Sequence, residues 1–161
     1  MTANFPGVTV HFTRSTIQLG HEVAELIDLP GTYSLTASNP AESATRDFLI
    51  EQEISTVVNV IDAAVLSRSL ELTLQLLELG LPVVICLNMM DEARRKGIHV
   101  EREKLEEALG VPVVETIAVE GVGVYELFQT VWRQTSQAVM RSSACRYHRD
   151  TESAIADLAS W

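Results

Sequence analysis

The sequence predicts an α/β fold: a three-layer, doubly wound, mostly parallel sheet with an antiparallel hairpin at its edge. Three observations predict it. The runs Ser55–Ile61 (STVVNVI), Leu81–Leu87 (LPVVICL) and Val111–Thr116 (VPVVET) are apolar nearly throughout rather than alternating, as strands covered on both faces must be. Helical patterns separate them, the signature of parallel strands joined by crossover helices. Of 161 residues, 47% are hydrophobic, enough to fill one core without a metal or a disulfide framework.

Taken in order, residues 7–14 (GVTVHFTR) alternate and are rich in β-branched types, so they predict a strand. Leu19-Gly20-His21 reads as a turn and His21–Ile27 as a second, antiparallel strand. Asp28-Leu29-Pro30-Gly31 interrupts, and a polar loop follows from Thr32 to Ser38. Asn39 then caps a helix that has Pro40 at its first position and Glu42 in its first turn; it runs to about Gln52. After the Ser55–Ile61 strand, which ends at Asp62, leucines 66, 70, 74 and 77 predict a helical stripe stopped by Gly80. The Leu81–Leu87 strand ends at Asn88-Met89-Met90-Asp91. A short helix to Lys96 closes at Gly97, and Glu101–Leu109 is a helix ending at Gly110. Beyond the third apolar strand, the glycine loop Glu120-Gly121-Val122-Gly123 leads into a helix through Met140, and Thr151–Ser160 predicts a small separate helix.

Charge and cysteine content exclude several functions. Twelve Lys and Arg against 22 Asp and Glu leave a net charge of −10, which argues against nucleic-acid binding through phosphate neutralisation. The apolar stretch Leu79–Met90 is well short of the ~20 residues a bilayer span needs, and no basic start precedes an apolar run, so a cytoplasmic chain without a secretory signal or a membrane span is expected. Cys86, inside an apolar run, reads as an inert core thiol. His11, His21, His99 and His148 show no metal-ligand spacing. Arg133, Arg141, Arg146 and Arg149 fall in a stretch without acids, a composition shift that separates a main unit, residues 1–140, from a segment at 141–161.

In doubly wound folds ligands sit at the carboxyl ends of the strands, where DLPG, Asp62 and NMMD all fall. A carboxylate such as Asp91 can accept two parallel hydrogen bonds, and guanine offers N1–H and a 2-amino group side by side. Asn88, three residues earlier, can bond the base and tie neighbouring loops together. Alone, this Asn-x-x-Asp spacing equally reads as a helix cap. Asp28 can hold Mg²⁺ through water and the Gly31 amide can approach a phosphate, because glycine has no Cβ; DLPG equally reads as a plain turn. Thr9 can offer its hydroxyl to Mg²⁺ or can simply be a β-former. Asp62 as a phospho-acceptor lacks the acidic pair and strand-end lysine such a site needs.

Together, PGVTV, DLPG, NMMD and the Thr116-Ile117-Ala118 loop resemble the ordered motifs of a GTPase, and their wording resembles the cytosolic G domain of ferrous iron transport protein B. NFPGVTV looks like its first switch and IDLPGTYSL its second; VIDAAVLSRSLELTLQLLELGLPVVICLNMMDEA and ALGVPVVETIAVEGVGVYEL are similar to its later motifs, and ESAIADLASW to its helical linker. The resemblance implies GTP/GDP and Mg²⁺ as cofactors. It places Gly7, Val8, Thr9, Val10 and His11 in the first switch and Asp28, Leu29, Pro30 and Gly31 in the second. Asn88, Met89, Met90 and Asp91 would lie at the base, with Thr116, Ile117 and Ala118 in the supporting loop, and Thr9 and Asp28 would serve the metal. It also implies GTP-linked Fe²⁺ uptake with a membrane permease or a complementing chain as partner, at the inner face of the cell membrane.

The sequence departs from that family in four places. No Gly-Lys dipeptide occurs, so no phosphate-binding loop of the G-x-x-x-x-G-K-[ST] form is present in these 161 residues. Ile117 stands where the family usually has serine, Thr32 and Tyr33 follow Gly31 in place of a glutamine, and no permease sequence lies within these 161 residues. The expectation is therefore a partial G domain over 1–140 and the start of a helical linker over 141–161. Three absent charge-assisted bonds at ~1.5 kcal/mol each lower nucleotide affinity on the order of 10³, so the chain by itself is expected to be inactive. A non-catalytic interaction module is the alternative. The family's missing first strand would lie between those ending at Asp28 and Asp62, which must either pair directly or leave two open ladders.

Overall fold

A computed structural model describes residues 2–4, 11–19, 22–36 and 39–144. The chain begins with three antiparallel strands: β1 (Thr2–Asn4), β2 (His11–Leu19) and β3 (Glu22–Asp28). Helix α1 (Pro40–Glu51) follows, with Asn39 Oδ1 accepting the Glu42 N–H at 3.0 Å as the cap pattern requires. The second half is built of β4 (Val57–Asp62), α2 (Leu66–Glu78), β5 (Val83–Asn88), α3 (Met90–Arg95), α4 (Arg102–Leu109), β6 (Val113–Glu115) and α5 (Val124–Ala144). Strands β4, β5 and β6 form a parallel sheet in that order. The helix expected over 151–160 lies outside the described residues.

Alternation along β5 explains the three layers. Val83, Ile85 and Leu87 face one cluster, with Met90 and Ala93 of α3, Leu76 of α2 and Leu105 and Leu109 of α4. Val84 and Cys86 face the other, with Leu127 and Val131 of α5 and with Ile17 and Ala24 of the hairpin. Burial pushes the Cys86 thiol pKa up, in keeping with a packing role.

One expected helix face is corrected. Leu74 does not belong to the buried stripe of α2: it is 51% exposed, whereas Ser69, Thr73 and Leu76 are buried. The reason is polar. Asn59 of β4 is buried and donates from Nδ2 to Thr73 Oγ1 at 2.8 Å, and an unpaired amide there costs about 1–3 kcal/mol. That pairing turns the Ser69–Thr73 face inward and Leu74 outward.

Strands β3 and β4 do not pair. β3 bonds only β2, and β4 bonds only β5, so among the described residues each has an open edge and Val60 is 61% exposed. Side chains join the two sheets instead: Phe12 of β2 packs on Phe48 of α1 with ring centroids 5.1 Å apart, and Leu29 and Ile54 pack against two clusters at once.

Candidate functional site

The carboxyl ends of β5 and β6 are locked together around Asn88. Its Oδ1 accepts from Thr116 Oγ1 at 3.0 Å and from the Ala118 N–H at 3.1 Å. Because the Thr116 proton goes to Asn88, the Cys86 thiol, 3.3 Å from Thr116 Oγ1, is the donor in that contact. Backbone bonds reinforce the join, from the Thr116 N–H to the Leu87 C=O at 2.8 Å and from the Met90 N–H to the Thr116 C=O at 3.4 Å. Met89 takes a left-handed conformation, φ +61°, at a cost on the order of 1–2 kcal/mol. That turn starts α3 immediately after the strand and sets Asp91 in its first turn, where the helix dipole favours a carboxylate. Asp91 is partly exposed, 3.9 Å from Arg95.

Asn88 Nδ2 has no hydrogen-bond partner among the described residues, so a donor and the Asp91 acceptor stand three residues apart at the mouth of this turn. The Ala118 N–H is already engaged by Asn88. Ile117 is half-buried and packs against the core. Its N–H and C=O pair with Val122 at 3.1 and 3.2 Å, closing the loop. Gly123, at φ +76°, passes so close to β6 that a Cβ would lie 2.1 Å from the Glu115 carbonyl oxygen.

The Thr32–Tyr33 segment reaches the same end of the sheet. A cleft of about 240 Å³ has Thr32 and Tyr33 on one wall, β4 from Asn59 to Asp62 as its floor, and Asn88 and Met89 beside them. Among the described residues no lysine, arginine or histidine lines it. Asp62 Oδ1 is engaged by the Ala64 N–H at 2.7 Å, capping the turn before α2. Leu29 is half-buried in the core, while Asp28 is exposed at the end of β3, opposite Thr13. Gly31 has no neighbour within 4 Å of a built Cβ, so no packing demand explains its glycine.

The structure thus brings Asn88, Met89, Met90, Asp91, Thr116, Ile117 and Ala118 together, and sets the residues after Gly31 beside them. Gly7, Val8, Thr9 and Val10 lie outside the described residues, and His11 opens β2 opposite Asn4. Asp28, a single exposed carboxylate, fits only a water-mediated contact to Mg²⁺, and among the described residues no three His, Cys, Asp or Glu cluster to hold a metal ion. Sequence reasoning missed Gln75 and Arg68 of α2, which hold the Thr32–Leu35 segment.

Residues 1–131 match the family described as ferrous iron transport protein B. The chain is 46% identical over 129 residues to an Fe(2+) transport protein A/Fe(2+) transporter FeoB fusion protein of Porphyromonas gingivalis, covering 80% of this chain and 15% of that protein. It is 45% identical over 134 residues to the Fe(2+) transporter FeoB of Legionella pneumophila, covering 80% and 18%. The cytosolic domain of L. pneumophila FeoB superposes with a TM-score of 0.77 at 42% identity, over 83% of this chain and 57% of that one. The cytosolic domain of T. maritima FeoB in a GMPPNP form gives 0.79 at 36%, over 84% and 54%. The chain spans less than a fifth of the length of the curated relatives named here. Among the described residues no helix is long and apolar enough to cross a membrane.

Proposed function

Because the chain belongs to the ferrous iron transport protein B family, as part of its cytosolic G domain, we propose that it carries the guanine-reading half of a nucleotide site that serves Fe²⁺ uptake. The observation behind this reading is Asn88, whose Oδ1 ties the two strand ends together while Nδ2 stays available, with Asp91 three residues on in the first turn of α3. Asp91 accepts the N1–H and 2-amino protons of guanine, and Asn88 donates to the base. Thr116 and Ala118 hold Asn88 in place, and Met89, Met90 and Ile117 shape the turn and loop around it. Gly31 offers its amide to the γ-phosphate, Asp28 and Thr9 reach Mg²⁺, the former through water, and Gly7, Val8, Val10 and His11 complete the first switch. Mg²⁺, when bound, offsets phosphate charge. The structures of the T. maritima cytosolic domain in GDP and GMPPNP forms support guanine nucleotide as the ligand class. A cleft lined by no cation among the described residues supports weak affinity and negligible turnover by these 161 residues alone. The partner in this reading is a membrane permease part at the inner face of the membrane, approached through a linker that starts near residue 141.

Competition titrations with GDP, ADP and XDP test the assignment. GDP is expected to outcompete ADP, and Asp91→Asn to weaken GDP and favour XDP, whose 2-oxo group suits an amide donor. Equal competition by all three, or no effect of Asp91→Asn, refutes it. The open edges of β3 and β4 favour a second reading: a non-catalytic module that docks on a permease or a complementing chain through strand addition.

A further inference from the structure

The segment after Gly31 is fastened to α2 by one amide side chain. Gln75 Oε1 accepts the Leu35 N–H at 2.5 Å, and Gln75 Nε2 donates to Ser34 Oγ at 3.1 Å. Local bonds stiffen the same segment: Thr32 Oγ1 donates to the Ser34 C=O at 2.7 Å, and Ser34 Oγ lies 2.9 Å from Thr36 Oγ1. Two turns before Gln75 on the helix, the Arg68 guanidinium lies 4.4 Å from the centroid of the Tyr33 ring. Leu35 is a core residue, so its amide is drawn away from water and must find a protein acceptor; Gln75 supplies it. The acceptor Oε1 carries the hold on Leu35, and Nε2 adds a lesser hold on Ser34 Oγ, which also lies 3.4 Å from Oε1.

Thr32 and Tyr33 form the wall of the cleft that faces Asn88 and Met89. Where that wall stands, and with it the Gly31 amide, therefore depends on Gln75. We propose that Gln75 is a positioning residue, a clasp that holds the Gly31–Thr36 segment against α2 and fixes the phosphate-facing wall of the cleft. The clasp's role toward a ligand rests on the reading of Gly31 given above; the clasp itself requires no ligand.

Hydrogen–deuterium exchange on the full 161-residue chain without nucleotide tests it, with the Leu35 amide as the probe and β5 as the internal control for folding. Gln75→Leu is expected to speed exchange at Leu35 about tenfold, the population change carried by ~1.4 kcal/mol. Gln75→Glu keeps an acceptor for that amide and is expected to restore most of the protection. Ser34→Ala removes the acceptor of Gln75 Nε2 and is expected to speed the same exchange by a smaller factor. If β5 loses protection in Gln75→Leu, Ser34→Ala and Gln75→Glu decide between them. Unchanged exchange at Leu35 in Ser34→Ala, or in a folded Gln75→Leu, overturns the proposal, and so does a Gln75→Glu chain as unprotected as Gln75→Leu. Since no nucleotide is present, failure of the clasp is read separately from failure of base recognition, which the GDP titration reports.

Discussion

Replacing Asn88 by alanine tests whether this side chain is the tie between the strand ends. The substitution removes two hydrogen bonds, from Thr116 Oγ1 and the Ala118 N–H. Their loss is unequal. Ala118 is exposed and its N–H can turn to water, whereas Thr116 is 1% exposed and its hydroxyl is left with the Cys86 sulfur alone. A net bond is worth about 0.5–1.5 kcal/mol and a buried orphan about 1–3 kcal/mol, so the total expected cost is about 2 kcal/mol. At roughly 2–4 °C per kcal/mol for a domain of this size, the Tm falls by about 4–8 °C in a far-UV circular dichroism melt. Asn88→Asp keeps an acceptor for both donors but loses the Nδ2 donor. It is expected to melt closer to the parent while binding GDP more weakly. A parent-like Tm for Asn88→Ala, or an equal loss in both variants, refutes the reasoning.

Gly123→Ala is expected to cost at least about 2 kcal/mol, from the positive φ and from the Cβ that would meet Glu115 O at 2.1 Å. Gly121→Ala, also at positive φ but with nothing within 4 Å, is expected to cost only about 1 kcal/mol, and thermal melts compare the two. Phosphate release with Mg²⁺–GTP is expected to stay near background for the 161-residue chain. A separate peptide with a strand, a phosphate-binding loop and a helix is expected to raise the Tm and restore GDP binding together. GDP at a hundredfold excess over Kd then adds about 2.7 kcal/mol, and a melt that ignores the peptide refutes this.

The parallel strands were legible because burial on both faces demands apolar residues at every position, and β5 has five consecutive fully or nearly buried residues. Helix ends were legible where one residue type is required: Asn39 as a cap, Gly97 and Gly110 at φ near +70°. The turn after β5 was legible through a fixed spacing, Asn88 to Asp91, that a single tight turn preserves. Strand β1 was not, because three residues become a strand only by lying against β2. Leu74 was misplaced because counting leucines ignores the amide of Asn59, which needed Thr73. Gln75 escaped notice for a related reason: its partners lie some forty positions earlier in the chain, and no periodicity encodes a bond between a helix and a distant loop.

The expected choice between β3 and β4 closing up and staying apart is settled by what holds the hairpin. Phe12 against Phe48, and Ile17 and Ala24 against the α5 side of the parallel sheet, fix it by side-chain packing. Moving β3 onto β4 means breaking those contacts, and burying a single phenylalanine is already worth about 1.5–3 kcal/mol. Each new ladder bond returns only about 1 kcal/mol net, because the open edges are solvated rather than orphaned. The gap leaves Val60 61% exposed on a strand whose sequence, VVNVID, carries neither lysine nor proline to guard its edge. Among the described residues the unpaired edge of β4 runs along the cleft, so an open backbone edge and a lining without a cation occur at one place. One added strand parallel to β4, followed by a basic turn, answers both.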